Sequence, residues 1–232
     1  AGGAAAQALP LLLGPWLTRL YTPEEFGQYT LFFALAANLG VVACARYDFA
    51  MPLARDEAEA RDLLALCLRV LAGVVSLTVP LAIAAGLMGW FVLWMWLPLA
   101  VAASGLVQCL TMWATRAQRF PQLSLARFTQ FGGASLLQLG AGLLHAGAWG
   151  LVAGPVASAA AAAGWMVRPA PLGGWRSLWR VPAAALRAVA NRYREFPLLN
   201  TPHAFAGALQ DTAAVALLVA WTGEAEAGFW GL

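Results

Sequence analysis

Asp211 stands near the middle of an apolar stretch running from about residue 200 to 222, preceded by Gln210 and flanked on each side by about 11 residues, or ~16 Å of helix. A carboxylate at that depth must be protonated, paired with a cation or turned toward water, because its side chain is too short to reach either surface. Two chemistries meet that demand: coupling to a proton or cation, and structural pairing with an Arg or polar group of another helix. Arg19, in TRLYTPEEFGQY, ends another apolar stretch and either pairs with Glu24 or Glu25 or holds an anion from inside a cavity. Arg46 and Asp48, in ARYD, end a third. A guanidinium there suits bidentate contact with a phosphate-type anion, and serves equally well as a positive anchor with Asp48 as neighbour. Asn38, Gln108, Gln130 and Gln138 are amides inside apolar stretches, able to join helices or to line a wet path.

These groups need explaining because of the solvent the chain expects. Over 232 residues it is 61% hydrophobic and 11% charged, with a mean hydropathy of +0.69, whereas soluble domains carry about 25% charged residues. Apolar runs of about 18 to 25 residues recur along the length, too long for core helices or a secretory leader. Continuous runs exclude a barrel, whose strands alternate over about 10 residues. The expected fold is all-α, a polytopic membrane helix bundle. Its stretches lie at about 1–20, 28–46, 63–86, 90–115, 123–145, 148–167 and 200–222, with an eighth beginning near 226. Small residues such as SAAAAAG at 158–164 let backbones approach closely where lipid supplies no drive for association. The chain begins at Ala1 and stops inside an apolar stretch, so it reads as a fragment.

All 14 basic residues are Arg, and all but Arg19 and Arg69 fall at alternate connections. The positive-inside bias makes those connections and the N-terminus cytoplasmic. Arg69 is expected to snorkel back to the headgroups, with Asp62 seven residues earlier on the same face as a further partner. Cys44, Cys67 and Cys109 have neither close spacing nor a CxxC and read as small buried hydrophobes, with no disulfide framework and no metal site. His145 and His203 are too few for a zinc cluster. Without a P-loop, a GxSxG or a carboxylate pair in a soluble pocket, no enzyme and no cofactor is implied.

The connection 168–199 is basic and amphipathic. Trp175, Leu178, Trp179, Pro182, Leu186 and Val189 recur at about helical spacing, with Arg176, Arg180, Arg187 and Arg194 on other faces. That pattern predicts a linker helix lying on anionic inner-leaflet lipids, and excludes nucleic acid as a partner in so apolar a chain. In NRYREFPLLNTP, Pro197 should stop that helix and Asn200 cap the next, with Pro202 in its first turn, leaving Arg192 and Arg194 to phosphate headgroups.

Three segments carry a resemblance: PLLLGPWLTRLYTPEEFGQYTLFFAL, ARYDFAMPLARDEAEARDLLALCL and NRYREFPLLNTPHAFAGALQ. In order and spacing they resemble bacterial polysaccharide biosynthesis proteins that act as O-antigen-type flippases, within the multidrug/oligosaccharidyl-lipid/polysaccharide exporter superfamily. The resemblance implies a two-lobed carrier that moves an undecaprenyl-pyrophosphate-linked oligosaccharide across the bacterial cytoplasmic membrane by alternating access, with polysaccharide polymerase machinery as a further partner. It makes 1–167 the first lobe, 168–199 the linker and 200–232 the start of the second lobe. It also implies pyrophosphate contacts for Arg19 and Arg46. Asp48, Asn38 and Gln130 join these as candidate substrate-binding residues, and Asp211 is the candidate coupling residue on depth alone. A drug or metabolite exporter of the same superfamily is the alternative, ahead of a membrane glycosyltransferase or polymerase.

Overall fold

The computed structural model describes residues 2–87, 92–168 and 174–222, and every element within them is helical. The apolar stretch near 226 lies outside the described residues. In chain order the elements are α1 (Gly2–Leu20), α2 (Pro23–Val42), a 3-10 helix (Tyr47–Leu53), α3 (Glu57–Leu87), a second 3-10 helix (Val92–Trp96) and α4 (Leu97–Arg116). There follow α5 (Phe120–Arg127), a π-helical turn (Phe128–Gly132), α6 (Gly133–Leu143), α7 (Ala148–Met166), α8 (Trp175–Trp179), α9 (Ala183–Arg192), a second π turn (Phe196–Asn200) and α10 (Thr201–Thr222).

Thr22 sets where α2 begins. Its hydroxyl accepts from the Glu25 amide at 3.3 Å, Glu25 Oε2 accepts from the Thr22 amide at 2.8 Å, and Pro23 presets the first turn. The helix therefore starts ahead of the hydropathy boundary at about 28. Glu25 is used in this cap, and Arg19 makes no ion pair among the described residues.

Two helices, Glu57–Leu87 and Leu93–Arg116, are long and apolar enough to cross a membrane. Pro23–Val42 with Tyr47–Leu53, bent by 48°, makes a third if the pair is one span. The π turn divides the stretch 123–145 into shorter helices, and that stretch carries Arg127, Gln130 and Gln138 along its length. On α3 the side chains of Leu77, Leu81, Ile83 and Leu87 are 58–84% exposed, a surface that water would penalise and hydrocarbon would not.

Inside the bundle, helices meet through small residues. A Cβ on Gly154 of α7 would stand 3.1 Å from the Ala134 carbonyl oxygen and 3.2 Å from the Gln138 amide nitrogen of α6, and one on Gly133 would stand 3.0 Å from Ser158 Oγ. These contacts involve backbone or the first atoms of side chains, so the helices cannot yield locally. On α4, a Cβ at Gly105 would stand 2.5 Å from Leu71 Cδ1 of α3.

The linker departs from expectation. It is two short helices rather than one, and Leu178, Val181, Leu186 and Val189 are buried in the same core as Leu63, Leu64 and Cys67 of α3. The apolar face is thus satisfied by protein rather than by the lipid leaflet, while Trp179 (63% exposed) and Pro182 point away from it. Arg69 does not pair with Asp62. Its Nη2 donates to the carbonyls of Trp179 at 3.0 Å, Val181 at 3.1 Å and Leu178 at 3.4 Å, and Asp62 is taken by Arg61 at 3.1 Å. Arg192 pairs with Glu59 at 3.3 Å instead of being left to a headgroup. Tyr47 Oη donates to the Ala190 carbonyl at 3.4 Å, and Tyr193 Oη to the Leu53 carbonyl at 3.3 Å. Burial, with Glu59 nearby, raises the Tyr193 phenol above its ordinary range, which keeps it a donor. Asn200 is no cap: the backbone is helical through the π turn into α10, and α9 ends at Arg192, ahead of Pro197.

Two outcomes follow from this packing. Gly154→Val should destabilise the α6–α7 pair by about 1–3 kcal/mol, seen as a lower thermal midpoint in detergent, because backbone atoms occupy the added volume. Arg69→Ala should weaken linker docking by about 2 kcal/mol, read as faster hydrogen exchange confined to residues 175–192.

Candidate functional site

The backbone after α2 turns on two non-glycine residues in the left-handed region, Ala45 (φ 47°) and Arg46 (φ 60°). Such conformations cost roughly 1–2 kcal/mol per residue and persist only where surroundings impose them. Here they direct the chain back across the bundle. The following 3-10 helix buries Ala50, Met51 and Asp48, and Arg116 of α4 holds its end by donating to Ala54 O at 2.7 Å and Asp56 O at 3.1 Å.

Asp48 is fully buried. One carboxylate oxygen accepts from Gln108 Nε2 at 2.9 Å, and the other, Oδ1, has no partner among the described residues. Arg46 lies near enough to interact with it electrostatically but forms no direct ion pair. Its guanidinium stacks 4.8 Å above the Phe49 ring, and its buried Nε is unpartnered. A buried carboxylate oxygen and a guanidinium nitrogen without mates are the groups that a polar ligand or water would satisfy.

Gln108 joins this cluster to a cavity. A half-open space of about 480 Å³ is lined by α1, α2, α4, the first π turn, α6 and α7, a size suited to a ligand. Gln108 and Gln130 line it alongside Tyr29, Phe33, Phe131 and Val156. Gln130 comes from the π turn, a break of the kind often found at functional positions, and its side chain makes no hydrogen bond among the described residues. Gln138 also lines the space but is structural: its Nε2 donates to Leu151 O at 2.9 Å and its backbone carbonyl accepts from Tyr21 Oη at 2.6 Å.

The candidates named from sequence therefore separate. Arg46, Asp48 and Gln130 belong to one region through Gln108. Arg19 does not join them, because it lies exposed at the end of α1, with the 20-residue α2, ~30 Å long, between it and Arg46. Asn38 is on the far side of α2, where Nδ2 donates to Ala34 O at 2.9 Å and to the hydroxyl of Thr212 on α10, a helix-to-helix contact. The backbone at Asp211 lies in α10, next to Thr212 and packed along α2; its side chain is outside what the structure describes.

Two further groupings were not anticipated. Arg61, Arg176 and Arg180 line an open pocket of about 470 Å³ between α3 and the linker. Cys44, Cys67 and Cys109, read from sequence as unrelated core residues, bring their sulfurs within 4.8 Å of one another. Neither is visible in sequence spacing, since α3 folds back beside the linker and beside α4 only in three dimensions. No family model, curated protein or solved structure matches the chain.

Gln108→Leu should leave the Asp48 carboxylate wholly unpaired and destabilise the fold by about 2–4 kcal/mol. Asp48→Asn in that background should recover part of the loss, a non-additivity measured by a double-mutant cycle of thermal unfolding.

Proposed function

We propose that this chain is the cavity-bearing lobe of a membrane flippase, with the start of the second lobe, that carries an undecaprenyl-pyrophosphate-linked oligosaccharide between leaflets by alternating access for surface polysaccharide synthesis. The observation that carries this reading is the cavity whose amides, Gln108 and Gln130, lead through Asp48 to Arg46 at the end of α2. A glycan head needs amide and carboxylate partners along its path, and a pyrophosphate needs a guanidinium where it is received. Arg46 meets that need at one end of α2, and Arg19, ~30 Å away, offers a second cation where the head would leave. Both stand exposed or half-buried without a carboxylate in direct contact, which leaves their charge available.

In this reading the arginine-rich connections face the cytoplasm of a bacterial inner membrane, and Arg176 and Arg180 face anionic headgroups. Asp211, on the helix that packs along α2, couples an ion gradient to movement between the lobes, and the delivered glycolipid passes to polymerase machinery. A drug or metabolite exporter is the second reading, favoured by the apolar share of the cavity wall, Phe33, Phe131 and Val156.

The intact transporter in proteoliposomes should move a fluorescent polyprenyl-pyrophosphate glycan across the bilayer. In cells, Arg46→Ala and Asp211→Asn should each lower surface polysaccharide tenfold or more at unchanged membrane abundance. No movement of the glycolipid alongside efflux of cationic dyes would establish the exporter instead.

A further inference from the structure

Cys44, Cys67 and Cys109 come from three elements: the turn after α2, α3 and α4. All three are free, none is more than 1% exposed, and their Sγ atoms all lie within 4.8 Å of one another. The convergence depends on the left-handed turn at Ala45 and Arg46, which carries Cys44 inward until its thiol donates to the Gly105 carbonyl at 3.9 Å. A Cβ at Gly105 would stand 2.5 Å from Leu71 of α3 and 3.0 Å from Ala43 Cβ in the turn, so the three elements meet around the sulfurs.

We propose that these three cysteines form a thiolate site for one soft monovalent cation of the Cu(I) or Ag(I) class. The donor set selects the ion. Sulfur ligands exclude hard cations such as Ca²⁺ and Mg²⁺, which take oxygen. Structural zinc requires four donors, and among the described residues no carboxylate oxygen or imidazole nitrogen joins the sulfurs within that distance. Three buried sulfurs match the low coordination number of a monovalent d¹⁰ ion.

Binding forms three metal–sulfur bonds and breaks three S–H bonds, with the protons released to solvent and no electron transferred. One cation replaces three protons, so the site becomes more negative by two charges. The bound ion would fasten the turn after α2 to α3 and α4, independently of any transported substrate.

Native mass spectrometry of the full chain in detergent with Ag(I) alone, under reducing-agent-free anaerobic conditions, should show one ion per chain and a mass deficit equal to the lost thiol protons. Cys67→Ser and Cys109→Ser should each weaken binding at least tenfold, while His145→Ala with His203→Ala should leave it unchanged. X-ray absorption at the silver edge on the unaltered chain tests the same claim without variants: three sulfur neighbours support it. A coordination sphere of two sulfurs or of nitrogen and oxygen, no bound ion at one equivalent, or undiminished binding in folded Cys67→Ser would overturn it.

Discussion

The turn at Ala45 and Arg46 is the constraint around which one corner of this molecule is arranged. Two consecutive non-glycine residues with positive φ stop α2, and the chain re-enters the bundle as a short 3-10 helix rather than leaving it. From that one redirection come the burial of Asp48 against Gln108, the stacking of Arg46 on Phe49 and the arrival of Cys44 beside Cys67 and Cys109. The same helix presents carbonyls to Arg116 and a phenol to the linker through Tyr47. Strain of a few kcal/mol is sustained because several contacts from three other elements depend on it.

Low polarity makes each of those contacts matter more than it would in a soluble protein. Where hydrocarbon replaces water, a backbone carbonyl at the end of a helix must find its donor inside the protein. Arg116 serves the end of the 3-10 helix, and Arg69 serves α8 and the residues after it. Each long side chain reaches several carbonyls at once, which a Lys would do with a compact point charge and less geometric fit. The linker is thereby held on α3 by arginine, by the Arg192–Glu59 pair and by a buried apolar face together.

Much of the fold was legible because hydropathy reports length and burial directly. Among the described residues the apolar stretches recur as helices, and the Thr22–Pro23 cap was readable from residue types, since capping depends only on near neighbours. What the sequence did not disclose depends on contacts between distant residues. Arg69 looked like a snorkelling side chain because nothing local shows that Leu178 to Val181 will lie beside it. Asn200 looked like a cap because its residue type favours that position, whereas the helical backbone continues through it in the π turn. The three cysteines, spaced far apart along the chain, carried no signal until α3 and α4 paired. Gln130 was legible as an amide in an apolar stretch, and Asn38 was equally so, but only the fold separates the one facing a cavity from the one joining α2 to α10.

That separation extends to charge. A count of arginines assigns the chain an electrostatic side but says nothing of which cations are available to a ligand. Arg69, Arg116 and Arg192 are consumed by carbonyls and carboxylates of the fold, and Arg61 by Asp62 beside it. Arg46 differs from them in donating to no carbonyl or carboxylate among the described residues, with a carboxylate near but not in contact and a neighbouring glutamine that opens on a cavity. A guanidinium already saturated by the protein contributes to stability, whereas one held in place by strain and stacking and left unsaturated keeps its hydrogen bonds for something that arrives. On that criterion the ligand-binding capacity of the described helices concentrates at the end of α2, and among the arginines of the linker Arg192 fastens it while Arg176 and Arg180 line the open pocket.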